Sequence, residues 1–125
     1  MQRDMELVRK ILLAMEAEPS GTGPMYPKIE GYDPDTVAYH IYIMGTGRLI
    51  ECDPGVAARE GEVRKASARN IMWDGYEFLN AARDQDTWEQ AKETVKGAGR
   101  DLSTVTIGVL QGILTAIIAR SMGLQ

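Results

Sequence analysis

A run of eighteen residues without a charged side chain, residues 102–119, constrains the fold of this 125-residue chain more than any other feature. Its aliphatic residues recur at helical spacing, so the run predicts a helix with a broad apolar face. Such a face is too large to stay exposed on a small monomer, and either the body of the chain or a second copy must cover it. Serine, threonine and glutamine within the run lower its hydropathy, which argues against a membrane-spanning helix.

We predict that this C-terminal helix is an oligomerisation element. Gly97 and Gly99 precede it and would allow it to pair with its copy in a second subunit. Gly108 and Gly112 have the spacing that permits close approach of two helices. The residues predicted to form the homo-oligomer contact are Val109, Leu110, Ile113, Leu114, Ile117 and Ile118.

The N-terminal part of the chain predicts two helices. Apolar residues at three- and four-residue spacing predict the first over residues 4–17. Asp33 can cap the second, Pro34 suits its first position, and the helix should run to about Met44. Between the helices, a loop rich in proline and glycine leads to a short edge strand predicted at residues 28–30.

A β-hairpin is predicted after the second helix. Gly45 and Gly47 are expected in left-handed backbone conformations that end this helix. Residues 49–52 and 68–73 then predict two strands, with residues 59–65 at the tip between them.

The rest of the chain is predicted to be helical. A helix is expected from Asp74, and an Asp-x-x-Glu signal that begins at Asp86 predicts the cap of a renewed helix. The order helix, helix, hairpin, helix predicts a mainly α fold with a small β-hairpin, an α+β arrangement like a winged helix-turn-helix. We predict that residues 1–96 form this domain and that residues 97–125 add the C-terminal apolar helix.

Four segments in order also carry a resemblance to a known family. They are residues 3–12, Ile29-Glu30-Gly31-Tyr32, Val37-Ala38-Tyr39-His40 and residues 73–81. Over roughly its first 95 residues the chain resembles the uncharacterised bacterial and phage proteins grouped as domain of unknown function 2513. This resemblance implies a winged-helix-like fold and transfers no catalytic residue.

The residue inventory argues against an enzyme. Cys52 is the single cysteine and His40 the single histidine, which excludes a disulfide framework and a Cys/His zinc site. A lone helical histidine is usually a packed or surface residue, and no phosphate-binding glycine motif occurs. We therefore predict no catalytic residue, no metal and no cofactor, and a reducing, cytoplasmic setting.

Duplex DNA is the first partner that the sequence predicts. The formal charge is −4, so binding to a polyanion requires a local excess of cations. The predicted hairpin supplies such a local excess of cations. In a winged-helix protein, a hairpin of this kind could lie along the minor groove of DNA or follow its phosphate backbone. On this interpretation the chain is a DNA-associated regulator. Its nucleic-acid-binding residues would be Arg59, Arg64, Lys65 and Arg69.

A partner protein is the alternative. The middle helix begins with acidic residues and lacks the cations or amides that read base edges, so it suits a protein partner better than DNA. On this interpretation the chain is a protein interaction module, for example a phage- or mobile-element-encoded modulator of a host complex. The predicted contact residues are Asp35, Thr36, Tyr39, His40 and Ile43, all taken as outward-facing or near the helix start.

Overall fold

The structure is a computed structural model that describes residues 1–18, 24–55 and 65–124. Its elements, in chain order, are α1 (Met5–Ala17), α2 (Pro34–Thr46), β1 (Ile50–Asp53), β2 (Ser67–Ile71), α3 (Trp73–Ala82), α4 (Gln85–Gly97) and α5 (Ile107–Ser121). The predicted fold class, mainly α with a small antiparallel hairpin, is therefore confirmed.

The chain divides into two compact units, Arg3–Tyr76 and Glu77–Gln125, with the division inside α3. Two single residues at the N-terminus, Met1 and Gln2, are assigned to the first and second unit respectively. The predicted domain boundary between residues 96 and 97 stays a prediction.

Helix α1 begins where the sequence predicts. The Asp4 carboxylate accepts hydrogen bonds from the backbone N–H groups of Glu6 and Leu7, at 2.9 and 3.3 Å, and so caps donors that lack a partner within the helix. The apolar stripe is buried, and it comprises Met5, Leu7, Val8, Ile11, Leu12 and Met15.

Helix α2 begins as predicted but ends differently. Asp33 accepts a hydrogen bond of 2.9 Å from the backbone N–H of Thr36, and Pro34 is the first helical residue. The prediction that Gly45 and Gly47 adopt left-handed backbone is wrong, because Gly45 is helical and Gly47 has a φ of −83°. The left-handed residue that turns the chain is Arg48, with a φ of 62°.

Gly45 is needed for close packing instead. A Cβ added there would collide with the Cys52 Sγ and lie 3.2 Å from the Cys52 Cβ. The missing side chain therefore lets β1 approach the last turn of α2.

Strands β1 and β2 pair antiparallel, from Ile50 opposite Ile71 to Asp53 opposite Ser67, with an irregularity after Glu51. The pairing confirms the predicted hairpin strands, whereas the predicted tip at residues 59–65 lies almost wholly outside the described residues.

The edge strand predicted at residues 28–30 is wrong. Met25 pairs with Ala68 instead, through hydrogen bonds of 2.7 and 2.9 Å in both directions. The next residue of this segment that would bond to β2 is Pro27, which has no N–H to donate. The pairing is therefore a single bridge.

The second unit contains an antiparallel pair of helices, α4 and α5. Asp84 caps α4 by accepting a hydrogen bond of 2.9 Å from the Thr87 N–H, so the predicted cap at Asp86 is wrong by two residues. Thr106 caps α5 in the same way, through its hydroxyl and the Val109 N–H. Trp88 is fully buried and meets Phe78 edge to face, with ring centroids 6.2 Å apart.

We predict that Gly45→Ala lowers the free energy of unfolding by about 1–2 kcal/mol, because the overpacking against Cys52 outweighs the better helix propensity of alanine. Denaturant unfolding followed by circular dichroism measures this change. Cys52→Ala in the same chain should restore part of the loss, since it removes the colliding sulfur.

Gly47→Ala is the matched control, because the closest contact of an added Cβ there is 3.5 Å, an ordinary van der Waals distance. Equal losses for the two glycine variants would contradict the packing role of Gly45.

Candidate partner-binding groove

The predicted DNA-contact residues are only partly described. Arg59 and Arg64 lie outside the described residues. The Nζ of Lys65 is 3.0 Å from the Oδ1 of Asp35, in an ion pair whose side chains are 73% and 58% exposed. Arg69 is exposed on β2. The structure therefore brings one of the four predicted cations to the acidic start of α2.

Of the five residues predicted to contact a protein from the middle helix, Asp35 is exposed, and Thr36, Tyr39 and Ile43 are half-buried. The prediction that His40 faces outward is wrong, because its side chain is fully buried.

Hydrogen bonds explain the burial of His40. Its Nε2 accepts a bond of 2.8 Å from the Asp4 backbone N–H, and its Nδ1 lies 2.8 Å from the Thr36 carbonyl oxygen. Because Nε2 must accept, we assign the proton to Nδ1, which donates to Thr36. His40 is thus a neutral ring that joins the start of α1 to α2.

Asp4 also holds the segment that precedes α2. The Tyr32 hydroxyl donates a hydrogen bond of 2.9 Å to the Asp4 Oδ2, and the Lys10 Nζ lies 5.7 Å from the centre of the Tyr32 ring. Burial, followed by the hydrogen bond to Asp4 and the negative charges of Asp4 and Glu6, raises the pKa of Tyr32 to about 12.

Next to these residues lies a groove, here called the α2 groove, with a volume of about 350 Å³. One side is the segment before α2, the other is α2 itself, and residues 65–66 close one end. The residues that shape it are Tyr26, Ile29, Tyr32, Val37, Ile41 and Ala66.

The α2 groove has an apolar floor and a charged rim. Val37, Ile41 and Ala66 are 4%, 1% and 1% exposed, whereas Tyr26 on the wall is 66% exposed. Lys28 and Lys65 are both exposed and line the same groove. This arrangement can enclose an apolar group and attract a carboxylate beside it.

Sequence reasoning missed the α2 groove. The sequence predicts a loop and an edge strand before α2, and it does not show that this segment and α2 enclose a groove. Tyr26, Pro27 and Pro34 are the signals in the sequence, because prolines stiffen a segment and an exposed tyrosine beside them is suited to binding.

The predicted oligomerisation residues divide into two groups. Leu110 and Leu114 are fully buried in the pairing of α5 with α4, so the prediction that they contact a second subunit is wrong for α5 in this packed position. Val109 is 56% exposed, and Ile113, Ile117 and Ile118 are half-buried. An added Cβ at Gly108 or Gly112 would meet nothing within 4 Å in the described part of the chain.

The described residues contain neither a membrane-spanning helix nor a cluster of metal ligands. No helix there combines the length and apolar character that a bilayer span requires. No group of three or more histidine, cysteine, aspartate or glutamate residues in those ranges could hold a metal ion.

We predict that Tyr32 ionises near pH 12 in an ultraviolet titration of the phenolate. Folding favours the neutral phenol, so its stabilising effect is complete below the ordinary pKa of 10.0 and is lost as the pH rises towards about 12. Tyr32→Phe should remove this part of the pH dependence of unfolding. An unchanged titration curve in that variant would contradict the Asp4–Tyr32 bond.

Comparisons with known proteins agree with the sequence resemblance. Residues 2–101 match the family described as hypothetical protein (DUF2513). A relative from Haemophilus influenzae, described as an uncharacterised protein, is 32% identical over 121 residues, which cover 95% of this chain and 100% of the relative. No solved structure matches the chain. The chain therefore belongs to the DUF2513 family.

Proposed function

We propose that this chain is a non-enzymatic protein interaction module whose α2 groove takes an apolar anchor side chain from an acidic segment of another protein. The observation that carries the proposal is the combination of an apolar floor, a tyrosine wall and two lysines around one groove.

The size of the α2 groove supports this occupant. Its volume of about 350 Å³ falls within the usual range of binding pockets, about 300–1,000 Å³. An aromatic anchor side chain buries about 150–200 Å² of surface, which contributes about 4–5 kcal/mol before the cost of association. One anchor therefore supplies much of the free energy that a transient interaction needs.

The charges at the rim support an acidic neighbour of the anchor. Lys65 is paired with Asp35, but both side chains are mostly exposed, and such a pair contributes only about 0–1 kcal/mol. A carboxylate of the partner can replace Asp35 at Lys65 with little loss. Lys28 offers a second exposed ammonium group on the same groove.

Duplex DNA remains the other partner class that the sequence predicts. Arg69 is exposed and favours it, whereas the pairing of Lys65 with Asp35 and the acidic start of α2 disfavour it. A protein partner is thus better supported by the described residues, and DNA binding is an outcome of the test below.

Selection from a display library of random peptides on the full chain tests the proposal. We expect the enriched peptides to share an aromatic or large aliphatic residue flanked by aspartate or glutamate. Tyr26→Ala and Lys28→Glu should each weaken binding of a selected peptide about 10-fold or more, because one removes the wall and the other reverses the rim charge. Tyr76→Ala is the matched control, since Tyr76 is 43% exposed and lies outside the α2 groove.

Two results would overturn the proposal. One is a selected peptide whose binding survives both groove variants. The other is a gel shift with duplex DNA at low salt that falls steeply as salt rises and disappears in Lys65→Ala/Arg69→Ala, with no peptide enriched.

A further inference from the structure

One side of the α4–α5 pair is open along its whole length. Near the end of α4, a cavity of about 400 Å³ is bordered by Thr94 and Ala98 together with Val109 and Ile113 of α5. Near the start of α4, a wider depression of about 940 Å³ is bordered by residues of both helices, among them Ile117. Because the two helices run antiparallel, these two depressions follow one another along the same side.

We call this side the uncharged flank. It is made of Thr87, Gln90 and Thr94 of α4 and the Ala98 that ends this helix, with Val109, Ile113 and Ile117 of α5. Helical spacing places these α4 residues on one flank and the charged ones on the other. The charged residues on the other flank of α4 are Asp86, Glu89, Lys92, Glu93 and Lys96.

Two side-chain contacts form on the charged flank of α4, and both involve Glu89. The Lys92 Nζ lies 3.1 Å from the Glu89 Oε1, and the Gln85 amide donates to the same carboxylate oxygen at 2.8 Å. The remaining charged side chains of that flank, Asp86, Glu93 and Lys96, are exposed to solvent. The opposite flank exposes methyl groups instead, with Val109 56% exposed.

Helix α5 has no charged side chain between Ile107 and Ala119, although Gln111 and Thr115 are polar. Leu110 and Leu114 are buried on the side that faces α4, whereas Val109 is 56% exposed. A helix with so few polar residues normally has more than one buried face. After α5 has packed against α4, part of its apolar surface therefore stays exposed, and a further contact would bury it.

We infer that a second copy of this chain covers the uncharged flank, so that two α4–α5 pairs pack into a four-helix arrangement. This inference is independent of the α2 groove. Charged side chains line the depressions only towards the two ends of the flank, Arg100 at one end and Arg83, Asp84 and Arg120 at the other. An uncharged centre with a charged rim is the usual anatomy of a protein interface.

The dimensions of the flank fit a small dimer interface. Helices of 13 and 15 residues are about 20 Å long and, when paired, lie about 8–10 Å apart, so they present a face about 20 Å square. Two flat faces of this size bury about 800 Å² in total, which is below the roughly 1,200 Å² of stable interfaces and is expected of a weak, transient one. A reversible dimer is the expected result.

The charges of the flank favour a second copy over other occupants. A nucleic acid or an anionic membrane needs an excess of cations, and an acidic or basic peptide needs opposite charges at the centre of its site. The centre of this flank offers neither. Neutral surface matches neutral surface in a two-fold arrangement, and two-fold dimers are the commonest soluble homo-oligomers.

Sedimentation velocity of the full chain over a range of concentrations tests the inference. We expect dimer that increases with concentration. Ile113→Glu and Val109→Glu should each weaken dimerisation about 100-fold, because a charge would be buried without a partner. Val109 is already 56% exposed in the single chain, so its variant should fold, as circular dichroism will show.

Thr115→Glu is the control, because it adds the same charge to an exposed position of α5 that lies outside the uncharged flank. A chain that stays monomeric up to its solubility limit would overturn the inference. So would a dimer that tolerates both flank variants, or one that Thr115→Glu disrupts equally. Flotation of the wild-type chain with phosphatidylcholine vesicles in place of self-association would also overturn it.

Discussion

The hydrogen bonds of Asp4 are the interaction on which the first unit depends. Its carboxylate caps α1 and accepts the Tyr32 hydroxyl, and its backbone N–H donates to the buried ring of His40. His40 in turn donates to the carbonyl of Thr36 in the first turn of α2. One residue before α1 thus connects the start of α1 with the segment before α2 and with α2 itself, 28 and 36 residues further along the chain. Loss of the Asp4 side chain would remove the acceptor of the Tyr32 hydroxyl and of two helix N–H groups, and a desolvated donor without its acceptor costs more than the bond itself contributes.

The same hydrogen bonds define the α2 groove. Tyr32 lies on the groove wall and α2 provides the floor, and both are bonded to Asp4, Tyr32 through its hydroxyl and α2 through the His40 ring. A groove held in this way does not have to form at the moment of binding, which lowers the entropic cost of capturing a partner. The structural role of His40 and the proposed binding role of Tyr26 are therefore linked through one set of contacts.

Local signals predicted the elements of this fold well. Asp33-Pro34 marks the start of α2 and the apolar stripe after Asp4 marks α1, because caps and helical periodicity depend only on neighbours in sequence. Predictions that depend on distant contacts were less accurate. The burial of His40 requires the Asp4 N–H, and the need for a glycine at position 45 comes from Cys52.

The helix ends and the faces of α5 illustrate the same limit. Asp84 and Asp86 both have a carboxylate that can cap a helix. Because α3 ends at Ala82, α4 begins soon after it at Gln85, and Asp84 is the residue that caps it. The helical spacing places Leu110 and Leu114 on the apolar face of α5, but it does not show that α4 covers them. Tyr26, Pro27 and Pro34 mark a stiff, exposed segment in the sequence, but only the fold shows that Val37 and Ile41 line a groove together with it.

The central claim is that the α2 groove binds a partner. Amide NMR spectra of the full chain, recorded during titration with 8-anilinonaphthalene-1-sulfonate, an apolar aromatic anion, test it directly. The account predicts saturable shifts at the groove residues Tyr26, Ile29 and Lys65, and their loss in Tyr26→Ala. Shifts confined to residues outside the groove, or no saturable shift at all, would contradict it.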